Sequence, residues 1–343
     1  MPVQNTKPPT LKTIAEMTGL SLSTVSLSLR DGSNLKQSTR DKVAEAAREI
    51  GYVPNRAGVR LRTGRTNVLA LILSTDQKTL DFTQQLIQGI GAHIQGTKFH
   101  LSVVPEFDHD DPAEAVRYVL ENRSADGVIL THTSARDPRV QMLMDANFPM
   151  VSHGRTEFYT PHAYHDFHAE RYVELAVDRL AKKGRRRILL AAVDNGTTNY
   201  SNTVGGFNRS IAEHRLVGDV LKNVEVLNTT EEARAFGRTL GQQPAAERFD
   251  SIICNNELVA LAIISGLEEM GIRLGADYDL ICKQTTKILP ILYPTIDTVS
   301  EDLFAAGGEL AKLLIARIEG EAIETLQTLH EPTPRWRSSD IAG

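Results

Sequence analysis

The chain has 343 residues, of which 41% are hydrophobic and 24% are charged, and this composition excludes a wholly disordered protein. Its length predicts two or three domains. No apolar run is long enough to cross a bilayer and the first twelve residues lack a signal peptide, so we expect a cytoplasmic protein with no membrane partner. Cys254 and Cys282, the two cysteines, exclude a disulfide framework, and their apolar neighbours predict buried thiols.

The net charge of −5 is unevenly distributed along the chain. Residues 1–67 contain eleven Lys or Arg against five Asp or Glu, a net charge of +6, which leaves −11 for residues 68–343. A small basic head on a large acidic body indicates a module that binds a polyanion, although solvated helix faces can produce the same imbalance.

The basic head reads as three short helices. The first spans residues 11–18 and ends at Gly19, which suits a left-handed terminal position. The second spans residues 22–30 and is capped by Ser21. Two helices joined by such a turn form a helix-turn-helix, whose second helix enters the major groove. The side chains facing away from the core of that helix are Leu22, Ser23, Ser26, Leu27 and Arg30.

A third helix is predicted after a capping box that begins at Ser38 and has Asp41 in place of the usual Glu. Its apolar stripe runs from Val43 to Ile50, and Gly51 ends it.

The body alternates strands with helices, which predicts parallel sheets covered by helices in two lobes. The predicted strands are residues 68–73, 100–105, 127–130, 150–152, 188–193, 224–227, 251–254 and 280–282. The predicted helices include residues 83–94, 113–122, 169–183, 258–270 and 301–319.

Ligands of open parallel sheets bind beyond the carboxyl ends of the strands, so polar residues there are the candidates. They are Asp76, Thr131, His132, His153, Arg155, Asp194, Asn195, Asn255, Asn256 and Gln284. Polar clusters of this kind suit sugar hydroxyls, and Phe82 and Phe207 are available for stacking. A solvated loop is the alternative for each of these residues.

Two segments carry a resemblance to a known family: residues 10–26, TLKTIAEMTGLSLSTVS, and residues 38–73, STRDKVAEAAREIGYVPNRAGVRLRTGRTNVLALIL. They resemble the LacI/GalR family of bacterial transcription regulators. The resemblance implies a helix-turn-helix head over residues 1–53, a hinge helix and linker over 54–67, and a two-lobed effector domain, similar to periplasmic binding proteins, over 68–343. Three crossovers of the chain join the two lobes. We expect the first lobe to comprise residues 68–165 and 298–325, and the second lobe to comprise residues 166–297 and 326–343.

The resemblance also implies the residues that contact DNA. The hinge helix would be residues 54–61, with Leu61 inserted as a wedge into a central minor-groove base step. The base-reading positions would be Leu22, Ser23 and Leu27. Two leucines cannot make bidentate bonds to guanine but can touch thymine methyl groups, so we expect a relatively T-rich half-site. The expected DNA contacts are Leu22, Ser23, Thr24, Ser26, Leu27, Arg30, Asn34, Asn55, Arg56, Gly58, Arg60 and Leu61.

The effector site departs from the family at several positions. Asn255 takes the family's ligand-contact role, and the resemblance places His153 and Arg155 at the pocket. Gln284 stands where the family often has a carboxylate, and Thr203 stands where many sugar responders have arginine. The expected effector contacts are Asp76, Phe82, Thr131, His153, Arg155, Asp194, Thr203, Phe207, Asn255 and Gln284.

The sequence therefore predicts a ligand-responsive transcription regulator, a repressor that binds a pseudo-palindromic double-stranded operator as a homodimer, with a tetramer left open. Its effector would be a small polar molecule, a sugar being favoured. No metal or cofactor is expected: the histidines at positions 162, 165 and 168 suit a loop leading into a helix. The alternatives are a sugar- or nucleoside-processing enzyme, for which no nucleophile–base set is evident, and a transport-type binding protein.

Overall fold

The computed structural model describes residues 9–29, 34–52, 58, 60, 63–74, 80–106, 111–192, 194–221, 227 and 229–338. By its internal contacts the chain divides into two compact units, Met1–Thr66 and Asn67–Gly343. Within the described ranges, no helix is both long and apolar enough to span a membrane.

The first unit contains three helices in its described part, namely α1 (Leu11–Thr18), α2 (Leu22–Ser28) and α3 (Gln37–Glu49). As predicted, Gly19 ends α1 with φ of 67° and the Ser21 hydroxyl caps α2 by accepting from the Thr24 N–H. The predicted cap of α3 was wrong. The helix begins one residue before Ser38, and its N-cap is Lys36, which makes no side-chain capping bond.

The small core of this unit comes from all three helices. Ile14, Val25 and Val43 are fully buried, one on each helix, and Ala46 and Ala47 complete the cluster. The aliphatic spacing predicted from the sequence therefore faces inward.

The second unit has two sheets. The strands are β1 (Val68–Ser74), β2 (His100–Glu106), β3 (Gly127–Leu130), β4 (Met150–His153), β5 (Tyr164–Phe167), β6 (Arg187–Ala191), β7 (Val217–Val220), β8 (Ser251–Cys254), β9 (Asp279–Gln284), β10 (Asp297–Ser300), β11 (Gln327–His330) and β12 (Thr333–Arg335). The first sheet has the order β11-β5-β4-β3-β1-β2 and the second β12-β10-β9-β8-β6-β7. All neighbours are parallel except β10 and β12.

Helices cover both faces of each sheet. They are α4 (Leu80–Ile94), α5 (Glu114–Asn122), α6 (Pro138–Asp145), α7 (Ala169–Lys182), α8 (Thr198–His214), α9 (Thr230–Gln242), α10 (Glu257–Glu269), α11 (Ile288–Leu292) and α12 (Leu303–Ile318). Helices α4 and α12 cover one face of the first sheet, and α5 and α6 the other. Helices α9 and α10 cover one face of the second sheet, and α7 and α8 the other.

The side chains of strand β1 pack on both faces of the first sheet. Leu69, Leu71 and Leu73 lie in one apolar cluster, whereas Ala70 and Ile72 lie in the other. Because side chains alternate along a strand, a nearly continuous apolar run is what a sheet covered on both faces requires.

The chain passes between the two sheets after β5, after β10 and after β11. Three segments differ from the lobe ranges expected from the sequence. Residues 166–167 belong to the first sheet through β5. Residues 298–300 belong to the second sheet through β10, and residues 327–330 belong to the first sheet through β11. The predicted strand at residues 224–227 falls mostly outside the described residues: only Leu227 is described, and it is not part of a strand. The strand that pairs with β6 is β7.

Candidate functional site

The exposed face of α2 carries apolar side chains. Leu22 and Leu27 are 53% and 37% exposed, and Met17 on α1 is 45% exposed, which the sequence did not predict. Exposed leucine side chains on a small helix forgo the favourable free energy of burial. Their position therefore indicates a surface that binds a partner. The two positions at which the sequence predicted contacts to thymine methyl groups are thus solvent-accessible.

The hydroxyl groups at the start of α2 form a local network. Ser21 Oγ lies 2.8 Å from both Ser23 Oγ and Thr24 Oγ1, which orients these side chains at the N-terminus of the helix. Ser26 is half-buried. Asn34 is exposed, and Arg30 lies outside the described residues.

The expected hinge is described at a few positions. The backbone is helical at Gly58, Arg60 and Thr63, and the Gly64 N–H donates to the Arg60 carbonyl at 2.8 Å. Gly64 follows with φ of 70°, a left-handed conformation typical of a helix end. Asn55, Arg56 and Leu61, expected to contact DNA, lie outside the described residues.

In the body, the strand register brings two predicted residues together. Leu130 pairs with Ser152, so Thr131 and His153 come next to each other where β3 and β4 end. Thr131 is 1% exposed, and its hydroxyl donates to the Ile72 carbonyl at 3.4 Å. The Thr131 side chain therefore bonds the residue after β3 to strand β1.

Sequence reasoning missed two charged residues at the carboxyl ends of the strands, Lys283 and Glu301. Lys283 Nζ donates to Glu301 Oε2 at 2.9 Å, and His153 Nε2 lies 3.6 Å from Glu301 Oε1. Lys283 belongs to β9, Glu301 follows β10 and His153 ends β4, so the group joins both sheets. The available signal was position, because Lys283 directly follows the predicted strand at residues 280–282 and Glu301 begins the predicted helix at residues 301–319.

Burial and charge determine the protonation of this group. Burial lowers the pKa of His153 to about 4, so its imidazole is neutral at neutral pH. Burial by itself would raise the pKa of Glu301, but the Lys283 ammonium, with a smaller effect of His153, holds that pKa below its usual value. Glu301 is therefore ionised at neutral pH, and its ion pair with Lys283 is largely enclosed.

Arg155 is placed at the end of β4, as predicted, but its guanidinium already has partners. Its Nε donates to Asp166 at 2.6 Å, and its Nη2 donates to Glu170 at 3.1 Å. Glu170 lies on α7, which covers the second sheet, so Arg155 links the two lobes. The two carboxylates neutralise its charge.

The two predicted amide contacts at the strand ends of the second sheet, Asn255 and Gln284, have different surroundings. Cys254 pairs with Cys282, so Asn255 comes next to Lys283 at the strand ends. Gln284 is held by neighbours instead, because its amide donates to the Thr286 carbonyl and its oxygen accepts from the Thr298 hydroxyl at 2.7 Å.

Two predicted effector contacts on α8 need correction. Phe207 is fully buried in the core of the second lobe, because the α8 face that covers the sheet includes it, and it is not available for stacking on a ligand. Thr203 is 1% exposed, and its hydroxyl donates to the Asn199 carbonyl one turn earlier.

The remaining predicted contacts are the loop residues and Phe82. Asp194 is exposed, and its carboxylate accepts from the Gly196 N–H at 3.0 Å in a local turn. Asp76 lies outside the described residues. Phe82 belongs to α4.

Hydrogen bonds join the two lobes across the space between their strand ends. Gln85 Nε2 on α4 donates to the Thr285 carbonyl at 2.7 Å. The N–H and hydroxyl of Thr198, at the start of α8, both donate to the Thr133 carbonyl, at 3.0 and 3.2 Å. These contacts hold the lobes together at two separate points.

The described residues contain no group of three or more His, Cys, Asp or Glu side chains able to hold a metal ion. Cys254 and Cys282 are buried and free, as predicted, and burial raises the pKa of the Cys254 thiol to about 12. This thiol therefore stays protonated and unreactive.

Two family models match the chain in succession. Residues 10–55 match bacterial regulatory proteins of the lacI family, and residues 177–339 match a periplasmic binding protein-like domain. The chain is 29% identical over 330 residues to the HTH-type transcriptional regulator AglR of Rhizobium meliloti (strain 1021), an alignment that covers 91% of this chain and 88% of AglR. It is 26% identical over 332 residues to the HTH-type transcriptional regulator CelR of Thermobifida fusca, covering 94% and 96% of the two chains.

Solved structures share the fold. The lac repressor dimer bound to operator and the anti-inducer ONPF superposes with a TM-score of 0.82 at 21% identity, covering 98% of this chain and 100% of that chain. The complex of the transcriptional regulator CelR with cellobiose gives a TM-score of 0.69 at 25% identity, covering 96% and 99%. With a lacI-family head, a periplasmic binding protein-like body and full-length relatives that are regulators, the chain is a DNA-binding transcription regulator of the LacI family.

Proposed function

We propose that this regulator is a cytoplasmic repressor that binds a pseudo-palindromic operator as a homodimer and responds to a small polar effector, a sugar. One observation carries the proposal: a helix-turn-helix with exposed leucines on α2 is joined, in a single chain, to two mainly parallel sheets whose strand ends carry polar side chains. The relative whose structure contains cellobiose supports a sugar as the effector.

The head and the hinge contact different grooves of the DNA. Residues 1–53 read bases in the major groove through Leu22, Ser23 and Leu27, and residues 54–67 form the hinge that reaches the minor groove. Leu61 acts there as an apolar wedge, and the cost of unstacking a base step is offset by the protein contact that a bent duplex allows. Arg56 and Arg60 neutralise phosphates beside it.

The homodimer follows from the size of the head. One helix-turn-helix reads too few base pairs to select an operator, whereas two heads related by a two-fold axis match a pseudo-palindrome. The body offers an apolar surface for this purpose, which we name the α10–α11 patch: Leu258, Ile288, Ile291 and Leu292, which are 45%, 44%, 73% and 58% exposed.

The effector acts through the lobes of residues 68–343. A ligand between the strand ends changes how closely the lobes approach, and this changes the spacing of the two hinges in the dimer. Ligand and operator binding are then coupled reciprocally, typically by about 1–3 kcal/mol.

The test is a footprint of the full chain on the DNA upstream of its own gene, with and without a panel of neutral sugars. We expect a protected pseudo-palindrome with a T-rich half-site, and a protection that one of the sugars alters. Purely sequence-independent binding under every sugar would overturn the proposal.

A variant isolates the wedge. Leu61→Ala should lower affinity for the operator at least tenfold while it changes affinity for non-specific DNA by less than twofold, because only the bent operator contains the wedge site. Equal losses on both DNAs, measured by fluorescence anisotropy at one salt concentration, would exclude the wedge role.

A further inference from the structure

The ion pair of Lys283 and Glu301 at the strand ends bears on which ligands can bind there. Lys283 Nζ is 2.9 Å from Glu301, and the Lys283 side chain is 17% exposed whereas that of Glu301 is 4% exposed. The ammonium also lies 5.2 Å from the centre of the Phe167 ring. Its charge is therefore matched by a buried carboxylate on one side and an aromatic face on another.

Two further enclosed cations near these strand ends, Arg155 and Arg139, are also paired with carboxylates. Arg155 bonds Asp166 and Glu170. Arg139, on α6, donates to Asp137 and Glu106 and also to the carbonyls of Thr131 and His132, the residues that follow β3. In the loops beyond the strands, Arg136 and Lys287 are exposed to solvent, where an ion pair contributes little.

A buried anionic ligand needs an unmatched cation, because its desolvation cost is large. To recruit Lys283, such a ligand would compete with Glu301 and bring a second negative charge next to it. A neutral ligand meets no such cost, and it can exchange hydrogen bonds with Lys283 and with Asn255, which the register places beside it.

We propose, on the basis of the function proposed above, that Glu301 determines effector specificity. Because Glu301 pairs with the Lys283 ammonium, the space between the strand ends of the two lobes accepts an uncharged polyhydroxyl ligand and rejects the phosphorylated or carboxylated form of the same sugar. The residue acts by pairing with a partly enclosed cation at the end of β9 that a phosphate could otherwise use.

The first experiment uses the full-length wild-type chain and calorimetric titration. The probes are cellobiose, lactose, melibiose and maltose, each compared with its 6-phosphate and with the corresponding uronic acid. We expect at least one neutral disaccharide to bind and its charged counterparts to bind at least 30-fold more weakly. Equal or tighter binding of a charged counterpart overturns the inference, as does the absence of binding in both series.

The second experiment changes the charge balance. Glu301→Gln keeps the shape of the side chain and leaves the Lys283 ammonium unmatched, so the affinity ratio of charged to neutral sugar should rise at least tenfold. Adding Lys283→Met should abolish that rise. Glu309→Gln, which removes the same charge from the adjoining helix α12, is the matched control and should leave the ratio unchanged. An unchanged ratio in Glu301→Gln overturns the inference.

Operator binding of the same preparations separates this inference from the proposed function. A chain that protects its operator but prefers charged sugars refutes only the specificity argument. A chain that neither protects an operator nor binds any sugar refutes both. If Glu301→Gln does not fold, as judged by its melting curve, the wild-type comparison of neutral and charged sugars still decides the matter.

Discussion

Gly58 is a single residue on which the strength of the hinge depends. It lies in the expected hinge helix, its backbone is helical, and a Cβ atom built on it has no neighbour within 4 Å. Glycine in a helix costs about 1 kcal/mol relative to alanine because more backbone freedom is lost on ordering. The hinge should therefore need DNA and the partner subunit in order to fold.

Gly58→Ala should strengthen operator binding about fivefold per hinge, since about 1 kcal/mol of ordering cost is removed. Gly64→Ala is the control and should not strengthen operator binding, because Gly64 has φ of 70° and alanine in that conformation is strained. Anisotropy titrations of both variants check the prediction. A hinge that is already protected from amide exchange without DNA would contradict it.

His162 gives the body a pH-dependent stability. It is 6% exposed, its Nε2 lies 3.0 Å from Ser152 Oγ, and burial lowers its pKa to about 4. The unfolded chain binds a proton near pH 6.5, whereas the folded chain does not bind it until near pH 4. The stability that neutral His162 contributes is thus complete above pH 6.5 and is lost as the pH falls towards 4.

Replacing this side chain should reduce the acid sensitivity. Between pH 7.5 and 5.0 the wild-type chain should lose about 2 kcal/mol more unfolding free energy than His162→Gln. Urea unfolding at the two pH values measures the difference, with His93→Gln, an exposed residue of α4, as the control. Equal pH dependence in wild type and His162→Gln would assign the effect to other groups.

At the scale of elements, α4 and α12 pack at close range through two glycines. A Cβ atom on Gly89 would collide with the carbonyl oxygen of Phe304, and one on Gly307 would collide with that of Leu86. Gly89 belongs to the run Gly89-Ile90-Gly91 of α4, and its lack of a side chain thus serves helix packing. Only Gly89 of that run is constrained, because Gly91 has open space around it.

Gly89→Ala should destabilise the first lobe by about 2 kcal/mol or more, since two backbones must move apart. Gly91→Ala, two residues later on the same helix, should be neutral or stabilising by about 0.5–1 kcal/mol. Melting curves of the two variants give the comparison. Similar losses in both would show that the close approach is not what limits this packing.

Elements were predicted from the sequence with uneven success. The first helix of the head has the predicted bounds, and long apolar strands such as β1 were found because burial on both faces leaves a strong pattern. The short strands β5, β7, β10, β11 and β12 were missed. They contain charged and polar residues whose burial depends on partners far away in sequence, such as Thr328, which lies 2.8 Å from His165.

At the scale of the whole molecule, we expect the α10–α11 patch to meet a second copy of the chain. The patch occurs on two helices that pack against each other, and large exposed apolar side chains are uncommon on a monomer. Ile291 is its most exposed member.

Ile291→Asp should dissociate the dimer at micromolar concentration, because a carboxylate cannot be desolvated in an apolar interface. Operator affinity should fall at least tenfold in parallel. Tyr159→Asp, at a fully exposed aromatic in a loop, is the control and should do neither. Sedimentation velocity decides the outcome, and an unchanged dimer in Ile291→Asp would place the interface elsewhere.

The order of the modules, the helices of the head, the principal strands and the family could be predicted from the residues alone, because these depend on local periodicity, caps and short motifs. Which of the predicted side chains are available to a ligand became clear only in the folded chain. Phe207 is buried in the core, Arg155 bonds Asp166 and Glu170, and Lys283 bonds Glu301. Such pairings join residues on different strands and both lobes, and their geometry comes from sheet register and chain crossovers that no local pattern encodes.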